Sequence, residues 1–249
     1  MVDWDRIGYW VLAGLACLYL HSASETARSA RSSEDAEWGN PARADFRRER
    51  PSRDTRELAD WIAGSRDNHR QPFAIVDKQR ARLFVFNRSA QLLGTTPVLL
   101  GAARGDDSVP GIGARAIADI LPRERTTPAG RFQAEHGRNL QGEDIVWVDY
   151  DAGVSMHRVR ANVPEERRLE RLASPSVLDN RISFGCINVP KEFFESVIDT
   201  AFSGSRFVVY ILPETRPWRA VFAPVPATPG KAVAGTAPTH LAARGSSVR

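Results

Sequence analysis

The stretch of sequence that decides the fold reads Arg181-Ile182-Ser183-Phe184-Gly185-Cys186-Ile187-Asn188-Val189-Pro190. It contains one of the two cysteines of the chain, and the other, Cys17, lies in an apolar run near the start. Gly185 permits backbone angles that a side chain would forbid, so the thiol of Cys186 is predicted to sit on a tight, exposed bend before a short strand. Backbone N–H groups at Gly185 and Cys186 could then face an incoming carbonyl oxygen, as a thiol acyl-transfer enzyme requires.

A cysteine nucleophile needs a base, because its ordinary pKa is about 8.5 and the thiolate is the reactive form. His157 is the first candidate, since the alternating run from Val154 to Val159 predicts a strand that carries the imidazole near its end. His136, on a predicted loop, is the alternative base. His157 and Cys186 are too far apart in sequence for one element, so the fold must bring them together.

Taken together, these residues resemble the L,D-transpeptidase (YkuD-type) catalytic domain. The resemblance rests on the order of three pieces: Thr127 to Phe132, then His157 on a strand, then the Ser-x-Gly-Cys-Ile-Asn-Val motif. It spans about residues 70–212. It implies a mainly β fold, an L,D-transpeptidase-like β-sandwich with a few short peripheral helices, one of which follows the nucleophile strand.

The resemblance also assigns roles within the motif. It makes Cys186 the nucleophile, places Gly185 beside the oxyanion site, and gives Ser183 and Asn188 supporting positions. His157 takes the place of the base, and no metal or cofactor is implied. By the logic of a catalytic triad a third group should orient the imidazole, and the backbone carbonyl of Arg158 is the predicted group.

Two features depart from the family pattern. Phe184 stands where the family usually has a second histidine, which removes one ionisable group beside the thiol. The segment between His157 and Cys186 is also longer than usual. The charged run from Pro164 to Leu172 is the predicted insertion, where it would shape acceptor choice or cover the cleft.

The chain divides into four predicted regions. Residues 1–25 form a signal peptide or membrane anchor, with an uncharged apolar run over residues 7–20 that is about 21 Å long as a helix, against a hydrocarbon core of roughly 30 Å. Residues 26–53 are polar and predicted to be a flexible linker. Residues 54–212 form the catalytic domain, and residues 213–249 a disordered tail rich in Pro and Ala.

Within the domain, the first predicted element is a short helix that starts at the capping-box spacing of Asp54 to Glu57. Strands are predicted over residues 72–77, 82–86, 91–100, 144–150, 153–159 and 205–212. A second helix is predicted over residues 190–202, with an apolar face that anchors the nucleophile strand to the core.

The net charge of the chain and the predicted export signal limit the classes of molecule that the protein is expected to bind. The net charge of +4 suits an anionic polymer such as peptidoglycan, and no nucleic-acid motif or interleaved aromatic groove accompanies it. An export signal implies a periplasmic or envelope location and leaves one cysteine, which cannot form an internal disulfide. We expect a monomer that binds peptidoglycan stem peptides, with membrane anchoring through residues 7–20 if the segment is retained.

The resemblance implies cysteine-dependent acyl transfer on peptidoglycan stem peptides. A thioester forms at Cys186 with release of a terminal D-amino acid, and an amine then takes the acyl group, which cross-links the wall or attaches a protein to it. Three alternatives stay open: a hydrolase of the same bond, a peptidoglycan-binding module with impaired catalysis, and an unrelated β domain with a core cysteine.

Overall fold

The computed structural model of the protein describes residues 43–204 and 206–222. In these residues the strands form an eight-stranded mixed sheet and a separate two-stranded sheet. The strands are β1 Phe73–Asp77, β2 Arg82–Phe86, β3 Leu92–Pro97, β4 Leu100–Gly101, β5 Gly130–Arg138, β6 Asp144–Asp149, β7 Val154–Arg158, β8 Arg181–Ser183, β9 Ile187–Val189 and β10 Phe207–Ile211.

The helices are few and short. They are α1 Arg53–Ser65, α2 Arg168–Ala173 and α3, which joins Lys191–Phe193, a π-helical turn over Phe194–Ile198, and Asp199–Ala201. Single 3₁₀ turns lie at Ile112–Ala114, Ile117–Asp119, Pro122–Glu124, Pro164–Glu166 and Trp218–Ala220. The prediction of a mainly β fold with a few short helices is confirmed.

The large sheet runs in the order β3-β2-β1-β10-β5-β6-β7-β9, and the small sheet pairs β4 with β8. In the large sheet, β1 with β10 and β7 with β9 are parallel pairs, and the other neighbours are antiparallel. Leu99, two residues after β3, forms a bridge with Asn188 on β9, with both N···O distances at 2.9 Å. The two outer edges of the sheet therefore meet, and the sheet curls around an interior.

Alternating side chains give the sheet two cores. On β1, Ala74 and Val76 face the interior, where they share one cluster with residues of β7 and β9 such as Met156 and Ile187. The intervening Phe73 belongs to a second cluster on the outer face, which α1 covers. Both faces of the central strands are therefore buried, which explains why β10 and the first four residues of β1 carry apolar or aromatic side chains.

The helix predicted after the nucleophile strand is present as α3. Phe194, Ile198 and Phe202 are fully buried in the interior core. Because α3 follows β9 directly, this packing fixes the strand that comes immediately after Cys186.

The first helix begins earlier than the capping-box spacing predicted. Its N-cap is Ser52, whose hydroxyl accepts a hydrogen bond from the Thr55 N–H and donates one to Asp77. The hydroxyl of Thr55 also donates to Asp77. A buried carboxylate at the end of β1 thus selects the serine, which the local sequence could not reveal.

The folded unit extends beyond both predicted domain boundaries. Ala44 and Phe46, in the stretch predicted to be linker, are buried in the outer core. Trp218, in the stretch predicted to be a disordered tail, is buried in the same core. Residues before 54 and after 212 therefore pack on the sheet, because isolated aromatic residues in polar segments complete the cover over its outer face.

The predicted signal peptide or anchor at residues 1–25, with its apolar run at 7–20, lies outside the described residues. So do most of the linker and the tail beyond residue 222. In residues 43–204 and 206–222, no helix has the length and apolar character needed to cross a bilayer.

Candidate active site

The candidate residues meet on one face of two parallel neighbours, β7 and β9. His157 pairs in register with Asn188. Side chains alternate along a strand, so Ser155 and His157 point to the face opposite Met156, and Cys186 and Asn188 share that face from the other strand. The fold thus brings the predicted nucleophile and base together from distant parts of the chain.

The turn that carries Cys186 is held by Ser183. Its hydroxyl accepts a hydrogen bond from the Gly185 N–H at 3.1 Å and donates one to the Cys186 carbonyl oxygen at 2.6 Å. Because the Gly185 N–H is engaged, it does not face a substrate, contrary to the prediction that both amides are available. The Cys186 N–H takes no part in these bonds and is the remaining candidate oxyanion donor.

The thiol of Cys186 is half-buried and lies among polar groups. Its sulfur is 3.6 Å from the Ser155 hydroxyl and 3.7 Å from the Gly153 carbonyl oxygen. Burial alone would raise the pKa of Cys186, but the contact with the His157 imidazole and smaller contributions from Ser155 outweigh it, so the pKa lies below its ordinary value. The thiolate, which is the nucleophilic form, is favoured.

His157 is held at both ring nitrogens. Nδ1 is 2.8 Å from the Arg158 carbonyl oxygen, the group predicted to orient it, and Nε2 is 3.3 Å from Nδ2 of Asn188. The alternative base, His136, lies on β5 rather than on a loop, and its exposed ring packs near Phe207. Of the two histidines, His157 is the one whose imidazole acts on the Cys186 thiol, beside the thiol's contacts with Ser155 and Gly153.

The Arg158 side chain points away from the thiol, so its part in the site is through the backbone. The guanidinium pairs with Glu195 at 3.1 Å and Asp199 at 3.3 Å and lies over the ring of Phe194. These contacts tie the end of β7 to α3, which holds the carbonyl oxygen in place against His157.

Phe184, at the position where the resemblance predicts a second histidine, stacks against a cation. The Arg125 guanidinium carbon lies 3.9 Å from the centre of its ring. The same guanidinium donates weakly to the Ile120 carbonyl oxygen. A positive charge therefore stands next to the nucleophile turn although the ionisable imidazole is absent.

A buried cluster of charged side chains supports the turn that carries Cys186. Lys78 is fully buried, and its Nζ is 2.9 Å from Asp106 and 2.9 Å from the Thr127 carbonyl oxygen. The Thr127 hydroxyl in turn donates to the Gly185 carbonyl oxygen at 2.8 Å. Glu214, 3.8 Å from Lys78, also pairs with Arg181 at the start of β8. The segment that contains Thr127 and was predicted to support the cleft thus connects this cluster to the residue before Cys186.

A pocket of about 380 Å³ opens beside His157. Both signs of charge line it: Glu143 pairs with Arg160, Asp144 pairs with Arg138, and Lys191 is a further cation of the lining. Among the described residues, no group of histidine, cysteine or acidic side chains is arranged to hold a metal ion.

No protein-family model matches the chain, and no curated protein matches it. Among solved structures it is similar to the LD transpeptidase LdtMt1 in complex with imipenem, at 16% identity and a TM-score of 0.34, over 57% of this chain and 58% of that one. It is also similar to an L,D-transpeptidase from Mycobacterium smegmatis, at 15% identity and a TM-score of 0.33, over 57% and 58%.

A third similar structure is the helical cell shape determining protein Pgp2 (K307A mutant) from Campylobacter jejuni, at 13% identity and a TM-score of 0.38, over 59% of this chain and 48% of that one. The chain thus spans about half of the length of the structures that it matches.

Replacing Gly185 with alanine is expected to destabilise the protein by more than the roughly 1–2 kcal/mol that a left-handed conformation costs. Gly185 has φ of +131°, and a Cβ there would lie 2.9 Å from the Thr126 carbonyl oxygen, a backbone atom that cannot move aside. Urea denaturation measures the loss. Gly111→Ala is the matched control, because Gly111 has φ of +73° with open space around it. Equal losses in the two variants would show that the close approach is unimportant.

Sequence reasoning missed four residues that hold the site: Ser155, Lys78, Thr127 as a hydrogen-bond donor to the turn, and Arg168. Ser155 could have been found, since it lies two positions before His157 on a strand and must share its face. Lys78 gave no signal, because a lysine after a strand usually marks a solvated turn. Arg168, in the predicted insertion, donates a hydrogen bond to Asn188.

Proposed function

We propose that this protein is a cysteine acyltransferase of the L,D-transpeptidase type, acting on peptidoglycan stem peptides. The observation that carries the proposal is the arrangement of one thiol on a sharp, half-exposed turn, with a pKa lowered by an imidazole from the neighbouring strand. A core cysteine would need neither the contact with His157 nor the strained glycine beside it.

The chemistry follows from the positions of these groups. His157 accepts the thiol proton, and the Cys186 sulfur attacks the carbonyl carbon of the stem peptide while the Cys186 N–H donates to the developing oxyanion. The tetrahedral intermediate collapses as the C–N bond breaks, and His157 returns the proton to the departing D-amino acid amine. An acceptor amine then attacks the thioester, its proton passes to His157, and the thiolate leaves.

The pocket beside His157 supports an amine as the acceptor. Its acidic residues Glu143 and Asp144, each already paired with an arginine, add carboxylates that suit a cationic amine, and Lys191 suits a carboxylate of a second stem peptide. The base lies in its wall, where it can receive the amine proton. A diaminopimelate amine or a protein lysine meets this description, and water in the same place would make the enzyme a hydrolase.

The proposed setting is the cell envelope. We propose an exported monomer that works at the wall, which agrees with the net positive charge of the chain. Phe184 and its stacked Arg125 occupy the place of the second histidine. We propose that this pair lines the donor side of the thiol, where a guanidinium suits the terminal carboxylate of a tetrapeptide.

The test is incubation of the full-length protein with a disaccharide tetrapeptide, followed by intact mass of the protein and analysis of the products. A mass increase that corresponds to the acyl group, with release of D-alanine, is expected for the wild type and absent in Cys186→Ala. Dimeric muropeptide identifies a transferase, and tripeptide identifies a hydrolase. No adduct and no product, with wall binding retained, would replace the proposal by a binding module.

A further inference from the structure

Arg168 connects the insertion to the candidate active site. It begins α2, its side chain is 13% exposed, and its Nη1 is 2.5 Å from Oδ1 of Asn188. Its Nε pairs with Glu166 in the preceding 3₁₀ turn, which holds the guanidinium in place. Asn188 is 1% exposed, and its Nδ2 lies 3.3 Å from Nε2 of His157.

The direction of each hydrogen bond in this chain is fixed by its two ends. A guanidinium only donates, so the Asn188 atom that faces Arg168 must be the oxygen. The amide NH₂ of Asn188 then faces Nε2 of His157, which must accept and therefore carries a lone pair. At the other end the Arg158 carbonyl oxygen only accepts, so Nδ1 of His157 carries the proton.

We propose that Arg168 is a positioning residue that, through Asn188, keeps Nε2 of His157 unprotonated in the resting protein. Without Arg168, the Asn188 amide is free to turn over and present its oxygen to Nε2. An imidazole between two acceptor oxygens holds protons on both nitrogens and has no lone pair with which to take the thiol proton. The consequence for catalysis rests on the proposed function; the protonation of the ring does not.

Through Arg168, the predicted insertion would help to position His157, the proposed base. The insertion was predicted to shape acceptor choice or cover the cleft. Its contact with Asn188 instead reaches Nε2 of His157, on the face of the two strands that Asn188 shares with Cys186. At metal sites, mutating a residue that orients a ligating histidine typically lowers metal affinity or activity about 10- to 100-fold. We expect a loss of activity of that order when Arg168 is removed.

The test uses full-length protein labelled with ¹⁵N and compares Arg168→Met, Arg168→Lys and the control Arg167→Met. Methionine keeps the length but cannot donate, whereas lysine is also a donor only and should preserve the direction of the bonds. Arg167 lies one residue earlier, is exposed, and pairs with Glu170. Correlation spectra of the imidazole nitrogens report which of them carries a proton.

The expected result is an unprotonated Nε2 in the wild type, Arg168→Lys and Arg167→Met, and a protonated fraction in Arg168→Met. Where muropeptide turnover is measurable, kcat should fall about 10-fold or more in Arg168→Met with little change in KM. An Nε2 that remains unprotonated in Arg168→Met overturns the proposal. If the wild type forms no thioester but the spectra change as stated, the proposed function fails and this inference stands.

A second variant guards against loss of folding in Arg168→Met. Asn188→Asp keeps the shape of the side chain and can still pair with Arg168, but both of its oxygens are acceptors. Nε2 of His157 is then expected to carry a proton. A ring that stays unprotonated at Nε2 in Asn188→Asp would contradict the assigned bond directions, whatever the stability of the other variant.

Discussion

His157→Ala is expected to slow alkylation of Cys186 by iodoacetamide at neutral pH and to reduce acylation by the stem peptide about 100- to 10,000-fold. The contact with His157 is the main influence that lowers the pKa of Cys186, and burial acts in the opposite direction. Removing the imidazole takes away the largest influence that opposes burial, so the pKa of Cys186 rises and the thiolate fraction at neutral pH falls. The alkylation rate, measured by intact mass against time, reports this directly without a wall substrate.

His136→Ala is the matched control for that experiment. It removes the same side chain from an exposed position on β5, where the ring packs near Phe207 and makes no contact with the thiol. Its alkylation rate should equal that of the wild type. His157 would not be the base if the alkylation rate of His136→Ala fell as far as that of His157→Ala. The same would follow if His157→Ala were alkylated as fast as the wild type.

Lys78→Met is expected to lower the free energy of unfolding by about 3–5 kcal/mol, the usual cost of breaking a buried ion pair from one side. Methionine fills a similar volume, but it leaves the carboxylates of Asp106 and Glu214 buried without their ammonium partner. It also removes the hydrogen bonds to the carbonyl oxygens of Gly105 and Thr127. Urea denaturation at neutral pH measures the change.

Lys191→Met provides the comparison for stability, because Lys191 is exposed at the start of α3. Surface substitutions of this kind change stability by about 0.5 kcal/mol or less. If Lys78→Met lowers the free energy of unfolding no more than Lys191→Met does, the buried ion cluster does not stabilise the turn that carries Cys186. Because Thr127 links Lys78 to Gly185, a slower Cys186 alkylation rate in Lys78→Met would show that the support reaches the thiol.

The parts of the site that lie close together in sequence were predictable. A glycine before a cysteine predicts a strained turn, and the alternation around His157 predicts a strand that presents the imidazole on one face. The carbonyl of Arg158 is the next group along the backbone from that imidazole. In each case the governing geometry is local, so the sequence contains it.

The parts that depend on long-range contacts were not predictable. Lys78 follows a strand in a polar turn and looks solvated, and only its meeting with Asp106 and Glu214 makes it a buried support. Phe46 and Trp218 lie in segments whose composition suggests disorder, yet each finds a place on the outer core. Composition averages over a window and cannot detect a single aromatic anchor.

The bridge between Leu99 and Asn188 bears on the route by which a substrate could reach the Cys186 sulfur. It joins the two edges of the curled sheet at the same residue whose side chain touches His157. Deuterium exchange at these two amides therefore reports whether the seam parts in the resting protein. Slow exchange there would leave the side of the thiol next to Gly153 as the route by which a substrate of the proposed reaction reaches the sulfur.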